Sequence, residues 1–483
     1  MKLSYKEKKK RARSFGEEAE KAQRAPVRKK RAKIKLPKLK TPKMPKVSTK
    51  AVLYGLIILA VMVTAAVAVI SSISEKSKEK IPEPEDIIKN TEETEVIDYD
   101  APTMKDNFTY DYYRFPSNEL VECTEEVKIL SFGSMVAYPD RAFGGNSNSA
   151  GTDERSLTPS EFQKILKSLY DNGYILVNLN DLYTEEGGEM KKNTLLLPKD
   201  RKPLVLIFSD MCFYDNQKEN GTIEKIAINR EGLIRGLSTS NNGRLTYSRD
   251  LDPVSLLDMF VEQHPDFSFN GAKGCIALTG YSGVLGYRTQ SDFQATEETN
   301  RQREIAYAKP VIQLLKKTGW YFACSTYGDI DLVSAEYAAA VEDMAKWVNE
   351  VGSLVGETKI FVYPKSSSSG TVAMLSSGQT YDYLLNLGFT YFVGGAEASS
   401  VTGDGTSAIP CQTASVNGFS LRWRGSQLTD YFIAADVFDT ASRPNLGTNF
   451  SQSSESGTDA GSQDVGSSQS PVGSTAQNSG QEE

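Results

Sequence analysis

The chain has 483 residues, a formal net charge of −7 and a single histidine, His264. A chain of this length accommodates several average domains, or one α/β barrel with extensions at its ends. Because histidine is the commonest metal ligand and the usual acid or base near neutral pH, one imidazole excludes reactions that need a pair of them.

The N-terminal region has the pattern of a membrane anchor. The first 50 residues hold 20 Lys and Arg against four Glu, a local charge of +16. The next 20 residues, AVLYGLIILAVMVTAAVAVI, carry no charge and are long enough for a helix to cross about 30 Å of hydrocarbon. The positive-inside rule then predicts a cytoplasmic N-terminus and an extracellular remainder. We expect a single-pass protein of the cell membrane, with signal cleavage near Ala68 as the alternative.

Composition divides the chain into five regions. We predict a disordered basic cytoplasmic tail at 1–50, a transmembrane helix at 51–72 and an acidic, proline-containing stalk at 73–126. A folded domain is predicted at 127–430, and a low-complexity Ser/Gly-rich tail at 431–483. The five cysteines lie far apart without a CxxC spacing, which favours small buried apolar residues over a metal site.

Between 127 and 430, apolar runs of strand length alternate with helical patterns. This alternation is typical of βα units around a parallel sheet, and seven strands predict the fold class α/β with a deformed, TIM-like (β/α)7 barrel. The polar, Gly-rich stretch 212–251 interrupts the rhythm and indicates an inserted hairpin or lid. The predicted strands are Lys128–Ser131, Ile175–Leu179, Leu204–Phe208, Gly274–Leu278, Tyr321–Ala323, Ile360–Tyr363 and Tyr391–Val393. The predicted helices begin at Pro159 and span Pro253–Gln263, Arg301–Thr318, Ala335–Val351 and Gln379–Leu387.

In such barrels the functional residues follow the strands. Several segments at these positions are informative in their order and spacing: ILSFGSMVAYPDRAF, LTPSEFQKILKSLYDNGYILVNLNDL, KPLVLIFSD, FVEQHPDFSFNGAKGCIALTGYSGVLGYRT, LLKKTGWYFACSTYGD and FVYPKS. Over residues 127–428 the chain resembles the polysaccharide deacetylase (NodB-homology) family, in its membrane-anchored Gram-positive subgroup. The resemblance implies a hydrolase that removes acetyl groups from N-acetylated sugars with a divalent metal, usually zinc.

The family's chemical positions are largely replaced in this chain. The resemblance aligns the family's Asp-Asp pair with Ser209 and Asp210, and its His-x-x-x-His with Ser325 through Asp329. Ser209 therefore occupies the position of the general base, while Asp210, Ser325 and Asp329 occupy metal-ligand positions. With the base and both imidazoles absent, we expect an impaired enzyme that binds no metal, or binds a divalent metal weakly. His264 follows a helix in HPDF, where a structural role is the better interpretation.

Aromatic and basic residues near the strand ends are candidate sugar contacts. Tyr281, Tyr287 and Arg288 lie in TGYSGVLGYR, Tyr363 ends a strand in FVYPKS, and Trp423 lies between two arginines. Ordinary turns with packed side chains explain these residues equally well. The expected partner is an N-acetylated cell-envelope polysaccharide, with no nucleic acid.

Three functions stay open on the sequence. The first is a non-catalytic, glycan-binding relative of the deacetylases. The second is an active deacetylase whose site is rebuilt with oxygen ligands from Asp210 and Asp329, donors that favour Mg, Ca or Mn over zinc. The third is a cell-surface scaffold that holds a protein partner near the membrane.

Overall fold

The computed structural model describes residues 108–144, 149–240, 243–292, 298–364, 373–395 and 399–443. The predicted basic tail, the transmembrane helix and the stalk up to residue 107 lie outside these ranges, as do residues 444–483. None of the helices in the described ranges has the length and hydropathy of a bilayer span.

Parallel strands form a barrel. In space the first seven follow chain order, each pairing with the next, and the eighth pairs with the first. The strands are β1 (Lys128–Phe132), β2 (Lys202–Phe208), β3 (Gly274–Leu278), β4 (Tyr321–Cys324), β5 (Ile360–Val362), β6 (Tyr391–Gly394), β7 (Ile409–Gln412) and β8 (Ala414–Val416).

The sheet closes because one segment changes partner at Thr413. Strand β7 pairs with β6, and β8, one residue later, pairs with β1. At the junction the Thr413 amide donates to the Gly394 carbonyl at 2.9 Å, and its hydroxyl donates to the Ile129 carbonyl at 3.2 Å. The two short strands together occupy the seventh place of the ring.

The predicted α/β class is confirmed, with one strand exchanged. Six of the predicted strands are barrel strands, but Tyr174–Leu176 pairs only at the start of β2 and stands outside the ring order. The seventh place of the ring is filled instead by residues 409–416. This segment was not predicted as a strand because Pro410 and Thr413 interrupt its apolar run. The ring is deformed, since β4 and β5 share the single register pair Cys324↔Phe361.

Helices cover the outside of the barrel, and those predicted are present with small shifts at their ends. Thr158 begins one of them with a capping box, in which its hydroxyl accepts from the Glu161 amide at 3.2 Å. The longer helices are α1 (Ser149–Arg155), α2 (Pro159–Asp171), α3 (Pro253–Gln263), α4 (Glu298–Lys317), α5 (Tyr337–Lys346), α6 (Gln379–Asn386) and α7 (Gly418–Trp423). Short helices span Pro139–Ala142, Asp215–Glu219, Ser353–Val355 and Ala434–Val437, and α5 continues as a π-helix over Trp347–Gly352.

The strands are apolar on both faces because each face meets its own core. Alternate residues of β2, such as Val205 and Ile207, fill the barrel interior. Their neighbours Leu206 and Phe208 point outward and pack against the helices. Burial on both sides explains why these strands appear in the sequence as continuous apolar runs.

The stretch predicted as an insertion is a small antiparallel sheet. Its strands are Lys225–Ile228, Ile234–Thr239 and Leu245–Ser248. The other short strands form three antiparallel pairs. They are Leu120–Glu122 with Leu196–Pro198, Tyr183–Glu186 with Glu189–Lys192, and Ser400–Val401 with β7.

The packed core continues past residue 430, where the sequence places the start of the tail. Phe432 is 2% exposed. Arg443 forms buried ion pairs with Asp153 at 2.9 Å and with Glu161 at 2.6 Å, and Arg422 pairs with Asp153 as well. These contacts tie the C-terminal segment to α1 and to the start of α2.

His264 and the cysteines have structural positions. The His264 ring lies between Tyr170 and Phe260, with ring centroids 4.5 and 4.6 Å away. Its amide caps α3 by donating to the Phe260 carbonyl at 2.8 Å. All five cysteines are free thiols, and all but Cys123 are buried.

Asp252 makes stability depend on pH. It caps α3 by accepting from the Ser255 amide at 2.8 Å, while its second oxygen is buried without a hydrogen-bond partner in the described structure. Burial raises the pKa of Asp252 to about 6, above the ordinary value of 3.8 for an aspartate. A carboxyl with a raised pKa binds a proton more readily in the folded state, so its contribution to stability falls as pH rises from about 4 to 6.

Asp252→Asn keeps the capping oxygen and stays neutral. We expect this variant to gain stability relative to wild type between pH 4 and pH 7, by on the order of 2 to 3 kcal/mol. Urea unfolding at both pH values measures the difference, with the exposed Asp250→Asn as the matched control. Parallel pH profiles for wild type and Asp252→Asn would contradict the assignment.

Candidate functional site

A cavity of about 510 Å³ opens where the barrel strands end. Ser209 follows Ile207 by two residues, and Ser325 follows the interior Ala323 by two, so these hydroxyls face the same way as the side chains that fill the barrel. Thr279 continues β3 in the same manner. Polar side chains therefore stand directly above an apolar barrel interior.

Asp210 enters the cavity from a left-handed turn. Its φ is 58°, a region that aspartate tolerates better than most residues. The Ser209 amide donates to the Phe132 carbonyl at 2.9 Å, which anchors the turn to β1. On the facing loop, a Cβ at Gly133 would lie 2.9 Å from the Arg155 carbonyl oxygen and 3.6 Å from Asp210 Oδ2. Glycine at 133 thus permits the close approach of these loops.

Asp329 lies in a turn whose backbone is held by hydrogen bonds to Asp343. The Asp343 carboxylate accepts from the Tyr327 amide at 2.6 Å and from the Gly328 amide at 2.7 Å. Thr326 and Asp329 adopt left-handed φ values of 56° and 58°. Two backbone donors on one carboxylate fix the turn in a conformation that its residues would not favour alone.

Tyr327 links this turn to the loop after β3. Its carbonyl accepts from the amides of Gly280 and Tyr281 at 2.9 and 3.0 Å. Its hydroxyl donates to Glu350, in the π-helix, at 2.9 Å. Because one residue holds both loops, Tyr281 and Asp329 are positioned relative to one another.

The two carboxylates of the cavity influence each other. Partial burial raises the pKa of Asp329, and the negative charges of Asp210 and Asp343 add to this effect, so that together they bring the pKa to about 7. Both Asp210 and Asp329 remain exposed at the rim. The cavity wall therefore carries two acidic groups that disfavour simultaneous ionisation.

Two tyrosines line the open side of the cavity. The rings of Tyr214 and Tyr281 have centroids 6.1 Å apart, and Tyr281 is 38% exposed. Burial of their hydroxyl groups raises the pKa of both residues, so the phenols are neutral at physiological pH. They offer aromatic faces and hydroxyl groups to a ligand.

The structure gathers most of the predicted site residues. Ser209, Asp210, Ser325, Asp329, Tyr281 and Tyr363 line the cavity. Tyr363 is 3% exposed, and its hydroxyl accepts from the Leu375 amide at 3.2 Å, so it serves mainly as packing.

Three predicted sugar contacts lie outside the lining. Tyr287 is 2% exposed, beneath the Lys225 ammonium at 4.4 Å. Arg288 donates to the carbonyls of Phe213 and Ser282, each at 2.8 Å, and thereby joins two loops. Trp423 is 39% exposed at the end of α7.

The other residues that line the cavity were not predicted, because no sequence motif marks them and only their position after a strand could have indicated a role. They come from the loop after β1, the start of the insertion and the segment after β8. They are Ser134, Thr152, Arg155, Ser156, Tyr214, Gln217, Asn220, Thr222 and Asn417.

The donors of the cavity do not fit zinc. Zinc in proteins is held by imidazole, thiolate and carboxylate groups in sets of three or four. Here Asp210 and Asp329 supply two carboxylates, and Ser209 and Ser325 supply two hydroxyls. The described residues contain no group of three His, Cys, Asp or Glu side chains arranged to hold a metal. No hydrolytic step that depends on zinc follows from these residues.

Fold and site together define an α/β barrel with a polar, aromatic-rimmed mouth. No family model and no curated protein matches the sequence. Among solved structures, the Streptococcus pyogenes deacetylase PplD in complex with acetate matches at 13% identity and a TM-score of 0.32, covering 62% of this chain and 94% of that one. BA0330 of Bacillus anthracis, assigned as a polysaccharide deacetylase, matches at 10% identity and a TM-score of 0.35, covering 61% of this chain and 66% of that one. At these identities, residue roles must come from this chain's own geometry.

The coupling of the two carboxylates can be measured. Asp210→Asn removes a negative charge near Asp329, so we expect the pKa of Asp329 to fall below its wild-type value. Carbon-13 NMR of labelled aspartate carboxyls in the presence of EDTA reports this pKa, with Asp329→Asn providing the assignment. Asp215→Asn, whose carboxylate pairs with Arg288 at 3.0 Å, is the control and should leave it unchanged. An unchanged pKa in Asp210→Asn would show that the two groups are too far apart to interact.

Proposed function

We propose that this protein binds an N-acetylated cell-envelope glycan at the barrel mouth and has lost most or all deacetylase activity. The observation that carries the proposal is the convergence of strand-end polar groups and the Tyr214–Tyr281 pair on one open cavity. Sugars present apolar C–H faces that pack on aromatic rings, and hydroxyls that exchange hydrogen bonds with side chains of this kind. The strand-end motifs that resemble the deacetylases suggest the N-acetyl group.

Loss of hydrolysis follows from the residues at the chemical positions. A serine at 209 has no basic group for proton abstraction near neutral pH. An activated serine nucleophile needs an adjacent base, and the only imidazole in the sequence, His264, packs between two aromatic rings elsewhere.

The proposal includes the topology that the sequence predicts. The basic tail and the apolar segment at 51–70 would anchor the chain with its N-terminus in the cytoplasm. The barrel would then face the cell envelope on the outer side of the membrane.

Binding can be tested with the full chain and N-acetylglucosamine oligosaccharides by isothermal titration calorimetry. Tyr281→Ala removes an aromatic face worth about 1 kcal/mol, so we expect roughly five- to ten-fold weaker binding. Tyr281→Phe keeps the face and should retain most of the affinity. Trp423→Ala, an exposed aromatic outside the cavity, is the matched control. An equal loss in Trp423→Ala, or no binding by wild type, would contradict the proposed site.

A second candidate is a deacetylase with an oxygen-ligand metal site, favoured by the mutual influence of Asp210 and Asp329. A divalent cation between two carboxylates would relieve their repulsion, and oxygen donors suit Mn, Mg or Ca. We expect no acetate release from N-acetylated oligosaccharides with any of these ions or with zinc. Metal-dependent release that disappears in Asp210→Asn, but not in Asp215→Asn, would establish this candidate instead.

A further inference from the structure

Arg155 introduces a positive charge into the cavity. It ends α1, its side chain is exposed, and it lines the same mouth as Asp210 and Asp329. Within the described part of the chain, no hydrogen bond or ion pair engages its guanidinium. The nearby Arg422 and Arg443 differ, because buried acidic groups pair with both of them. Of these three arginines, Arg155 is the one that lines the cavity.

The position of Arg155 is rigidly supported. Asp153, two residues earlier, is fully buried, and its backbone carbonyl accepts from Arg443 at 2.7 Å. The Arg155 guanidinium lies over Gly151, where an added Cβ would be 3.1 Å from both terminal nitrogens. The backbone that carries the guanidinium is therefore fixed, while the exposed side chain itself still loses rotamer freedom when a ligand binds.

Further polar groups line the cavity that Arg155 lines. Ser134 and Ser156, both lining residues, share a hydrogen bond of 2.7 Å between their hydroxyls. Burial raises the pKa of Tyr214, and the positive charge of Arg155 opposes that rise, which places the phenol within electrostatic range of the guanidinium. An oxyanion at Arg155 would therefore have hydroxyl donors nearby.

The charges of the mouth are arranged asymmetrically. Arg155 belongs to the connection that follows β1, whereas Asp329 follows β4, three places along a ring of seven. No larger separation exists in such a ring. Asp210 follows β2 and lies between them in ring order. A ligand with one anionic end would be attracted by Arg155 and repelled by Asp329, so these two charges would orient it.

We propose that the glycan bound at the mouth is acidic, with an anionic substituent held by Arg155 and its N-acetylated sugar against Tyr214 and Tyr281. This inference rests on the proposed function and specifies its ligand class. The guanidinium fork binds carboxylate and phosphate oxygens through paired hydrogen bonds, so either substituent has the required chemistry. A neutral glycan would offer this cation no anionic partner.

The test compares three ligands by calorimetry on the full chain at low salt. The neutral ligand is N-acetylglucosamine. The two anionic ligands are its lactyl ether, N-acetylmuramic acid, which carries a carboxylate, and its 6-phosphate. We expect at least one anionic ligand to bind about ten-fold more tightly than the neutral one. Arg155→Gln should remove that advantage, so that the anionic and neutral ligands bind the variant with similar affinity. Gly151→Ala, which crowds the guanidinium without removing it, should reduce the advantage, and the exposed Arg303→Gln on α4 should not.

A second measurement separates this inference from the proposed function. Phenylglyoxal modifies accessible arginines, and inorganic phosphate should slow its reaction with Arg155 more than with Arg303, as read by mass spectrometry. Equal binding of neutral and anionic glycans would overturn the acidic-ligand proposal and leave glycan binding intact. Protection of Arg155 by phosphate without any glycan binding would retain the anion site and overturn the proposed function. If the protein binds no glycan and phosphate does not protect Arg155, the proposed function and the acidic-ligand proposal are both wrong.

Discussion

The change of partner at Thr413 is the constraint on which the barrel and its mouth depend. A parallel sheet with open edges would leave β1 and β6 with unpaired backbone groups. One segment satisfies both edges, because β7 pairs with β6 and β8 pairs with β1. Closure also brings Asn417, the residue after β8, to the mouth beside the loop that follows β1. The ring of strand-end groups exists because this segment turns between its two neighbours.

A buried ion network then fixes α1, the helix that ends at Arg155. Asp153, Glu161, Arg422 and Arg443 are each almost fully buried. Burial by itself would lower the pKa of Arg443, but hydrogen bonds and charges from Glu161 and Asp153 outweigh it and raise that pKa. Removing one member would leave an uncompensated buried charge, a loss of roughly 3 to 5 kcal/mol. The network therefore stabilises the C-terminal segment and the rim of the cavity together.

Sequence patterns predict those strands whose side chains are buried on both faces along their whole length. Six barrel strands are visible because each is apolar on both faces, and α2 is visible because Thr158 and Glu161 form a capping box. The strand at 409–416 is not, since Pro410 and Thr413 interrupt it. This segment forms strands only because β6 and β1, at the two edges of the sheet, are both available to pair with it. Arg155 lacks a signal for a similar reason, because its role depends on loops that pack against it from distant parts of the chain.

The site shows the same division between local and tertiary information. Tyr281 and Tyr287 lie six residues apart in one loop, yet the first reaches the mouth and the second is buried beneath Lys225. Spacing along an irregular loop does not determine which side chain faces the cavity. By itself, the sequence limited the available chemistry, since a chain with one histidine cannot bring two imidazoles to one site. Only the tertiary structure decided which polar groups meet, because parallel strands distant in sequence end at the same rim of the barrel.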